Sequence, residues 1–162
     1  MKRIRVTQGD KLFYALVDDE DFNYLNQYSW WLRDCKTSMY AMTKIDNAPV
    51  SMHSLLIREI PIGHTIDHKN TNGLDNQKHN LRIATLSQQQ INRNIQDNNT
   101  SGYKGTSWNK CKKKWRAYIT VKGIQLHLGY FNTLNSAAEA YNEAAIKHYD
   151  DFANLNIIER AG

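Results

Sequence analysis

Apolar residues recur along this chain in three zones with different spacing. In the first, residues 1–60, the run Leu12-Phe13-Tyr14-Ala15-Leu16-Val17 is short, aromatic and β-branched, and it predicts a strand. The carboxylates of Asp18, Asp19, Glu20 and Asp21 suit the first turn of a helix, and Phe22, Leu25 and Tyr28 follow at helical spacing. Met39–Met42 and Val50–His53 read as a strand pair around the turn Asp46-Asn47-Ala48-Pro49. Ser54–Ile60 continues as a short helix that Pro61 ends.

In the second zone, from Pro61 to Asn94, apolar anchors are sparse: Leu74, Leu81, Ile83 and Leu86. Thr71-Asn72-Gly73 is a turn signal, and Ser87–Asn94, free of Gly and Pro, predicts a helix. Residues 95–102 carry almost nothing apolar and read as a linker. The third zone, 103–162, opens with strict alternation. Trp115, Ala117, Ile119 and Val121 fall on one face of a strand, Arg116, Tyr118 and Thr120 on the other. Lys122-Gly123 is a hairpin turn. In the returning strand Ile124–Phe131, Leu126 and Leu128 face one way, Gln125 and His127 the other. Ala137, Ala138, Tyr141, Ala144, Ala145 and His148 then form one helical stripe, which either Thr133 or a capping box from Ser136 to Glu139 can start. The pattern predicts an α+β protein with an N-terminal region over 1–94, whose zone at about 61–94 is dense in His, Asp and Asn, and a small sheet packed on one helix over 103–162.

Composition narrows the function classes. With 162 residues, 41% of them hydrophobic, the chain can bury a core and has no room for a large multi-domain enzyme. No apolar run approaches the ~20 residues of a membrane span. No apolar segment follows Met1-Lys2-Arg3-Ile4-Arg5 to make a secretory signal. Cys35 and Cys111 are far apart and read as free thiols. A cytoplasmic protein without a membrane partner is therefore expected.

The net charge of +5 is unevenly spread. Between Asn98 and Lys122 lie seven cations (Lys104, Lys110, Lys112, Lys113, Lys114, Arg116 and Lys122) and no acid. Interleaved with Trp108, Trp115 and Tyr118, they suggest a polyanion-binding surface.

Chemistry concentrates in the second zone. In Asp67-His68 a carboxylate stands beside an imidazole, which suits a hard divalent cation with a general base, the needs of phosphodiester hydrolysis. Asn70, Asn72, Asp75 and Asn76 read as turn formers and His79 as a loop residue. His64 reads either as a polar position or as a ligand or DNA contact. His53 reads either as a satisfied core histidine or as a neighbour of the site.

The frame around that pair, Ile66-Asp67-His68-Lys69-Asn70-Thr71-Asn72-Gly73-Leu74-Asp75-Asn76 and then His79-Asn80-Leu81-Arg82-Ile83-Ala84-Thr85, resembles the HNH (ββα-metal) homing endonucleases of phage and intron type. The resemblance implies a Mg²⁺ or Mn²⁺ ion held by Asp67, His68 as general base, and Asn80 pinning the loop and orienting the imidazole. It implies duplex DNA as substrate, 5′-phosphate and 3′-hydroxyl products, and a bacterial host cell. The family's second metal ligand is an Asn on the next helix; Gln89 stands there, with Asn92 as the alternative. That departure leaves a rival expectation, a DNA-binding regulator with weakened or lost catalysis.

A second resemblance covers residues 101–157. Ser101–Trp108, Trp115-Arg116-Ala117, His127-Leu128-Gly129-Tyr130-Phe131, Ala137–Ala145 and Phe152-Ala153-Asn154-Leu155-Asn156 are similar to the APETALA2-type DNA-binding domain. It implies a three-stranded sheet laid in the major groove with a helix behind. The DNA contacts it implies are Lys104, Ser107, Asn109, Arg116, Tyr118, Thr120, Gln125 and His127, with Lys112, Lys113 and Lys114 from the basic run.

Overall fold

The computed structural model describes residues 1–35, 38–95 and 98–158. The chain divides into two compact units, Met1–Gln90 and Ile91–Gly162. Of the expected linker, Gln96 and Asp97 lie outside the described residues.

The first unit is built on a five-stranded sheet. Its strands are β1 (Lys2–Gln8), β2 (Lys11–Val17), β3 (Trp31–Asp34), β4 (Met39–Ile45) and β5 (Ala48–Ser51), in the order β2-β1-β3-β4-β5. All neighbours are antiparallel except β1 and β3, which meet at Thr7 and Trp31. Ile4 and Val6 turn inward onto Ala15, Val17, Leu32 and Ala41, and the helices α1 (Asp19–Leu25) and α2 (Met52–Leu56) add Leu25 and Met52 to that core. The indole of Trp30 donates to Leu25 O at 2.9 Å, which satisfies its N–H inside the core.

Several expectations shift here. The turn between β4 and β5 is only Asp46-Asn47, both with positive φ (51° and 64°), the two-residue hairpin geometry that Asn and Asp tolerate. Ala48 and Pro49 belong to β5, and Met52-His53 start α2 instead of ending a strand. Strand β1, absent from the expected elements, alternates Ile4 and Val6 with exposed polar residues, and those two side chains turn inward.

The remainder of this unit is a two-stranded hairpin, β6 (His64–His68) with β7 (Leu81–Thr85), followed by α3 (Leu86–Ile91). Thr85 and Gln88 close a reciprocal capping box at the start of α3. Gln88 Oε1 accepts from Thr85 N at 2.8 Å, and Thr85 Oγ1 accepts from Gln88 N at 3.2 Å.

The second unit is an antiparallel sheet in the order β10-β9-β8, from β8 (Thr106–Asn109), β9 (Lys114–Val121) and β10 (Ile124–Phe131), with α4 (Leu134–Tyr149) packed on one face. Ala137, Ala138, Tyr141 and Ala145 are buried there as the stripe predicts, but His148 is exposed. Thr133 is the cap: its hydroxyl accepts from Ser136 N at 3.1 Å. Gly105 carries φ +66° and has the Tyr141 ring 2.0 Å from where a Cβ would stand, so only glycine fits between the sheet and α4. Asn156 ties the end of the chain to the start of this sheet. Its side chain accepts from Lys104 N at 2.7 Å and donates to Lys104 O at 3.1 Å, and its backbone exchanges two hydrogen bonds with the Asn142 amide.

Candidate functional site

Asp67 and His68 end β6, and both are buried. Asp67 lies opposite Arg82 in the β6–β7 register. The guanidinium answers it with Nε at 2.9 Å and Nη2 at 2.8 Å, both on Oδ2. The pair is largely withdrawn from water, with side-chain exposures of 11% for Arg82 and 7% for Asp67. Breaking such a buried pair from one side costs about 3–5 kcal/mol.

The loop between β6 and β7 is held by asparagines. Asn80 donates to Asn70 Oδ1 at 3.0 Å and to Asp75 O at 2.8 Å, and its Oδ1 accepts from Asn70 N at 3.0 Å. Both amide protons of Asn80 are thus committed to the loop it is expected to pin. The side chain that reaches the imidazole is Asn76, fully buried, with Oδ1 at 3.5 Å from His68 Nε2. Asp75 and Asn76 are both buried, and Asp75 forms a turn from inside, its Oδ1 accepting from Gln77 N at 3.4 Å. Asn72 is a true turn residue: its Oδ1 accepts from Leu74 N at 3.1 Å.

This loop is fastened to the sheet from both sides. Leu74 enters the core, Leu16 N donates to Leu74 O, and Asn76 N donates to Leu16 O, both at 2.8 Å. The acidic run starts α1, and it also grips the loop. Asp18 Oδ2 accepts from Lys78 N at 2.8 Å, which holds its carboxyl below the usual carboxylate range, and the Lys78 ammonium pairs with Glu20 and Asp21. Gly73 allows β4 to come close, since a Cβ there would stand 2.4 Å from Met39 O and 2.6 Å from the Tyr40 ring.

Three rings close around one another at the site. His53 meets His68 edge to face at 5.1 Å, and Tyr40 lies 5.7 Å from His53 and 5.9 Å from His68. His53 Nε2 also shares a hydrogen bond of 2.9 Å with Ser51 Oγ. Burial pushes His53 down to about 4, with a smaller push from charge on His68. Burial also lowers His68, while Asn76, Asp67 and Asp75 pull it back up. Both imidazoles are accordingly neutral near pH 7. His64 is exposed, with Nδ1 3.2 Å from Ile62 O.

A divalent ion asks for hard oxygen donors, and Mg²⁺ commonly takes one or two carboxylates together with waters and substrate phosphates. Asp67 offers the carboxylate and Gln89, half-buried on α3, an amide oxygen. Among the described residues no three His, Cys, Asp or Glu side chains gather into a metal-holding group. The donor chemistry fits a lightly ligated, largely hydrated ion and not a closed protein cage. Asn92, the alternative ligand, is buried in the second unit, where its carbonyl accepts from Asn154 Nδ2 at 2.8 Å.

In the second unit, register groups most of the expected contact residues. Ser107 pairs Arg116, Asn109 pairs Lys114, Thr120 pairs Gln125 and Tyr118 pairs His127, so all eight share the face turned away from α4. Arg116 stacks on Tyr118 at 5.1 Å and donates to Gln125 Oε1 at 2.7 Å. Lys112 and Lys113 occupy the β8–β9 turn, with the Lys112 ammonium 4.0 Å from the centre of the Tyr130 ring. Simple alternation misses Tyr130. A bulge between His127 and Gly129 shifts the register, so Tyr130 pairs Arg116 and joins the outer face. Lys104 stands apart: its ammonium donates to Ile91 O at 3.1 Å, and burial lowers it to about 8.

Comparison with known proteins agrees in coarse terms. No protein-family model matches the chain, and no solved structure does. The chain is similar to an uncharacterized HNH endonuclease, L560, of Acanthamoeba polyphaga mimivirus, 28% identical over 151 residues, which cover 90% of this chain and 76% of that protein. Protein 3.8 of Escherichia phage T7 is 41% identical over 66 residues, 41% of this chain, and the match spans only about half (54%) of that protein's length. An AP2-like ethylene-responsive transcription factor of Arabidopsis thaliana is 34% identical over 59 residues, 36% of this chain and 12% of that protein. The likeness to an HNH endonuclease is thus distant but runs over most of the chain, and the likeness to AP2 proteins is partial. No helix among the described residues is long and apolar enough to cross a membrane.

Proposed function

We propose that the chain is a divalent-metal-dependent DNA endonuclease of HNH type, with β6, β7 and α3 as its ββα-metal site and the outer face of the β8–β10 sheet as a duplex-binding surface. The observation that carries this reading is the buried Asp67-His68 pair at the end of β6, framed by the Asn70–Asn76–Asn80 loop.

In this reading His68 takes a proton from the attacking water. A proton on Nε2, facing Asn76 Oδ1 3.5 Å away, would leave Nδ1 as the nitrogen that takes the water's proton. The packed rings of His53 and Tyr40 limit how far the imidazole can swing. Asp67 and Gln89 would hold the ion, which supplies positive charge for the transition state and the leaving 3′ oxygen. The cations and aromatics of the β8–β10 sheet hold the duplex by its phosphates and base edges. The test is nicking of supercoiled plasmid with and without Mg²⁺, beside His68→Ala. General-base catalysis contributes about 10²–10⁴-fold, so that variant should lose cleavage by at least that factor and keep its DNA affinity. Cleavage by His68→Ala at the wild-type rate overturns the assignment.

A second reading, a DNA-binding regulator with weakened catalysis, is favoured by one feature. The Arg82 guanidinium sits on the same carboxylate that the ion would use. Under it, duplex binding persists while Mg²⁺ produces no nicks.

A further inference from the structure

The five-stranded sheet of the first unit has one face in the core, and its other face is defined by register. Arg3 lies opposite Leu16, Arg5 opposite Tyr14, Thr7 opposite Trp31, Arg33 opposite Tyr40 and Lys44 opposite Pro49. Cross-strand partners and alternate residues share a face, so Arg3, Arg5, Arg33 and Lys44 stand together, and all four are exposed. The single acid of these strands, Asp34, is one residue out of phase with Arg33 and belongs to the opposite face. Trp31 lies in the middle of the cationic set.

We propose that this face binds the sugar–phosphate backbone of duplex DNA and leads it to His68. Charge selects the occupant: four cations without an acid on a sheet face fit a polyanion. The geometry gives the length. Thr7 pairs Trp31 in parallel, so Arg33 lies about four residues further along than Arg5, or roughly 13 Å at strand rise. Duplex DNA carries a charge every ~1.7 Å of axis, so such a track meets several phosphates. Tyr40, directly across from Arg33, is also the ring that packs on His68, so the track ends at the candidate catalytic imidazole. Only the direction of the track depends on the nuclease reading; the binding itself does not.

The experiment measures the salt dependence of full-length protein binding to a mixed-sequence duplex of about 30 base pairs, long enough to offer phosphates along the whole track. The triple variant Arg3→Gln/Arg5→Gln/Arg33→Gln should lower the slope of log K against log salt by about 2–3, at ~0.9 for each phosphate no longer neutralised. The control Lys2→Gln/Lys11→Gln removes cations from the other face and should leave the slope unchanged. Arg33→Glu alone, at one exposed site, should weaken binding if the triple variant does not fold. A wild-type slope in the triple variant, or an equal loss per charge in the control, overturns the proposal. Plasmid nicking is read separately. A slope change in a protein that never nicks supports this face and sinks the nuclease reading, whereas nicking with no slope change sinks this face alone.

Discussion

His53 and His68 come from different parts of the chain, the first turn of α2 and the end of β6, and their rings meet edge to face with centroids 5.1 Å apart at 84°. The cost of this contact is borne by His53, whose burial holds it down to about 4. An unfolded histidine titrates near 6.5. Between those values the unfolded chain binds a proton that the folded chain refuses, so stability falls as pH drops from about 6.5 toward 4. His53→Phe keeps a ring against His68 and removes the titration. Urea midpoints at pH 7 and pH 4.5 should show a smaller acid loss in His53→Phe than in wild type; equal losses would assign the acid lability elsewhere.

Gln89 carries one more methylene than the asparagine of the resembling family. Mg²⁺ wants near-ideal octahedral geometry at about 2.0–2.1 Å, so under the proposed nuclease function a displaced amide oxygen should bind the ion weakly and slow cleavage. Mn²⁺, which takes the same oxygen ligands, should support faster nicking than Mg²⁺. Gln89→Asn should raise the Mg²⁺-dependent rate. A lower rate in Gln89→Asn, or an unchanged rate together with complete loss in Asn92→Ala, would assign the ligand to Asn92.

Asn156 makes four hydrogen bonds, to Lys104 and Asn142, from a position with 7% exposure. Two of them run through its side-chain amide, and Asn156→Ala would leave the Lys104 N–H and C=O without those partners. Each buried group left unpaired costs about 1–3 kcal/mol. A fragment of residues 91–162 should therefore melt several degrees lower with this substitution. An unchanged melting temperature would mean that water replaces the amide without penalty.

The same fragment should retain much of the salt dependence of DNA binding, because it holds the cationic face around Arg116, Lys114 and Lys112. Titration of a duplex at several salt concentrations checks this. A fragment that folds but shows a flat response would remove the β8–β10 sheet as the main duplex anchor.

What the sequence makes legible is whatever repeats locally. The alternation of Trp115–Val121 gives the two faces of β9, and the alanine stripe gives the buried side of α4, up to His148, which is exposed while its neighbour Tyr149 still donates to Thr120 O. The Asp67-His68 frame is legible because its residues are neighbours in sequence. Contacts between distant segments leave no local trace. Nothing around Asp18 announces that its carboxylate receives the backbone N–H of Lys78, 60 residues away. The sequence leaves both readings of His53 open, since the fold alone brings α2 to β6. Arg82 stands in the motif, but its role follows from lying across from Asp67 in register.

The bulge at Leu128 in β10 has a consequence of its own. Upstream of it, odd-numbered residues point outward; downstream, even-numbered ones do, so Gln125, His127 and Tyr130 share a face although their numbers differ in parity. Gly129, with φ +141°, is the joint at which the count changes. Deleting Leu128 would restore simple alternation and leave Tyr130 opposite Arg116, whereas pairing Leu128 into a regular ladder would turn Tyr130 under the sheet and Phe131 out into water. The outer surface of this sheet is thus written partly in arithmetic: one unpaired residue keeps Gln125, His127 and Tyr130 on the same side of the sheet.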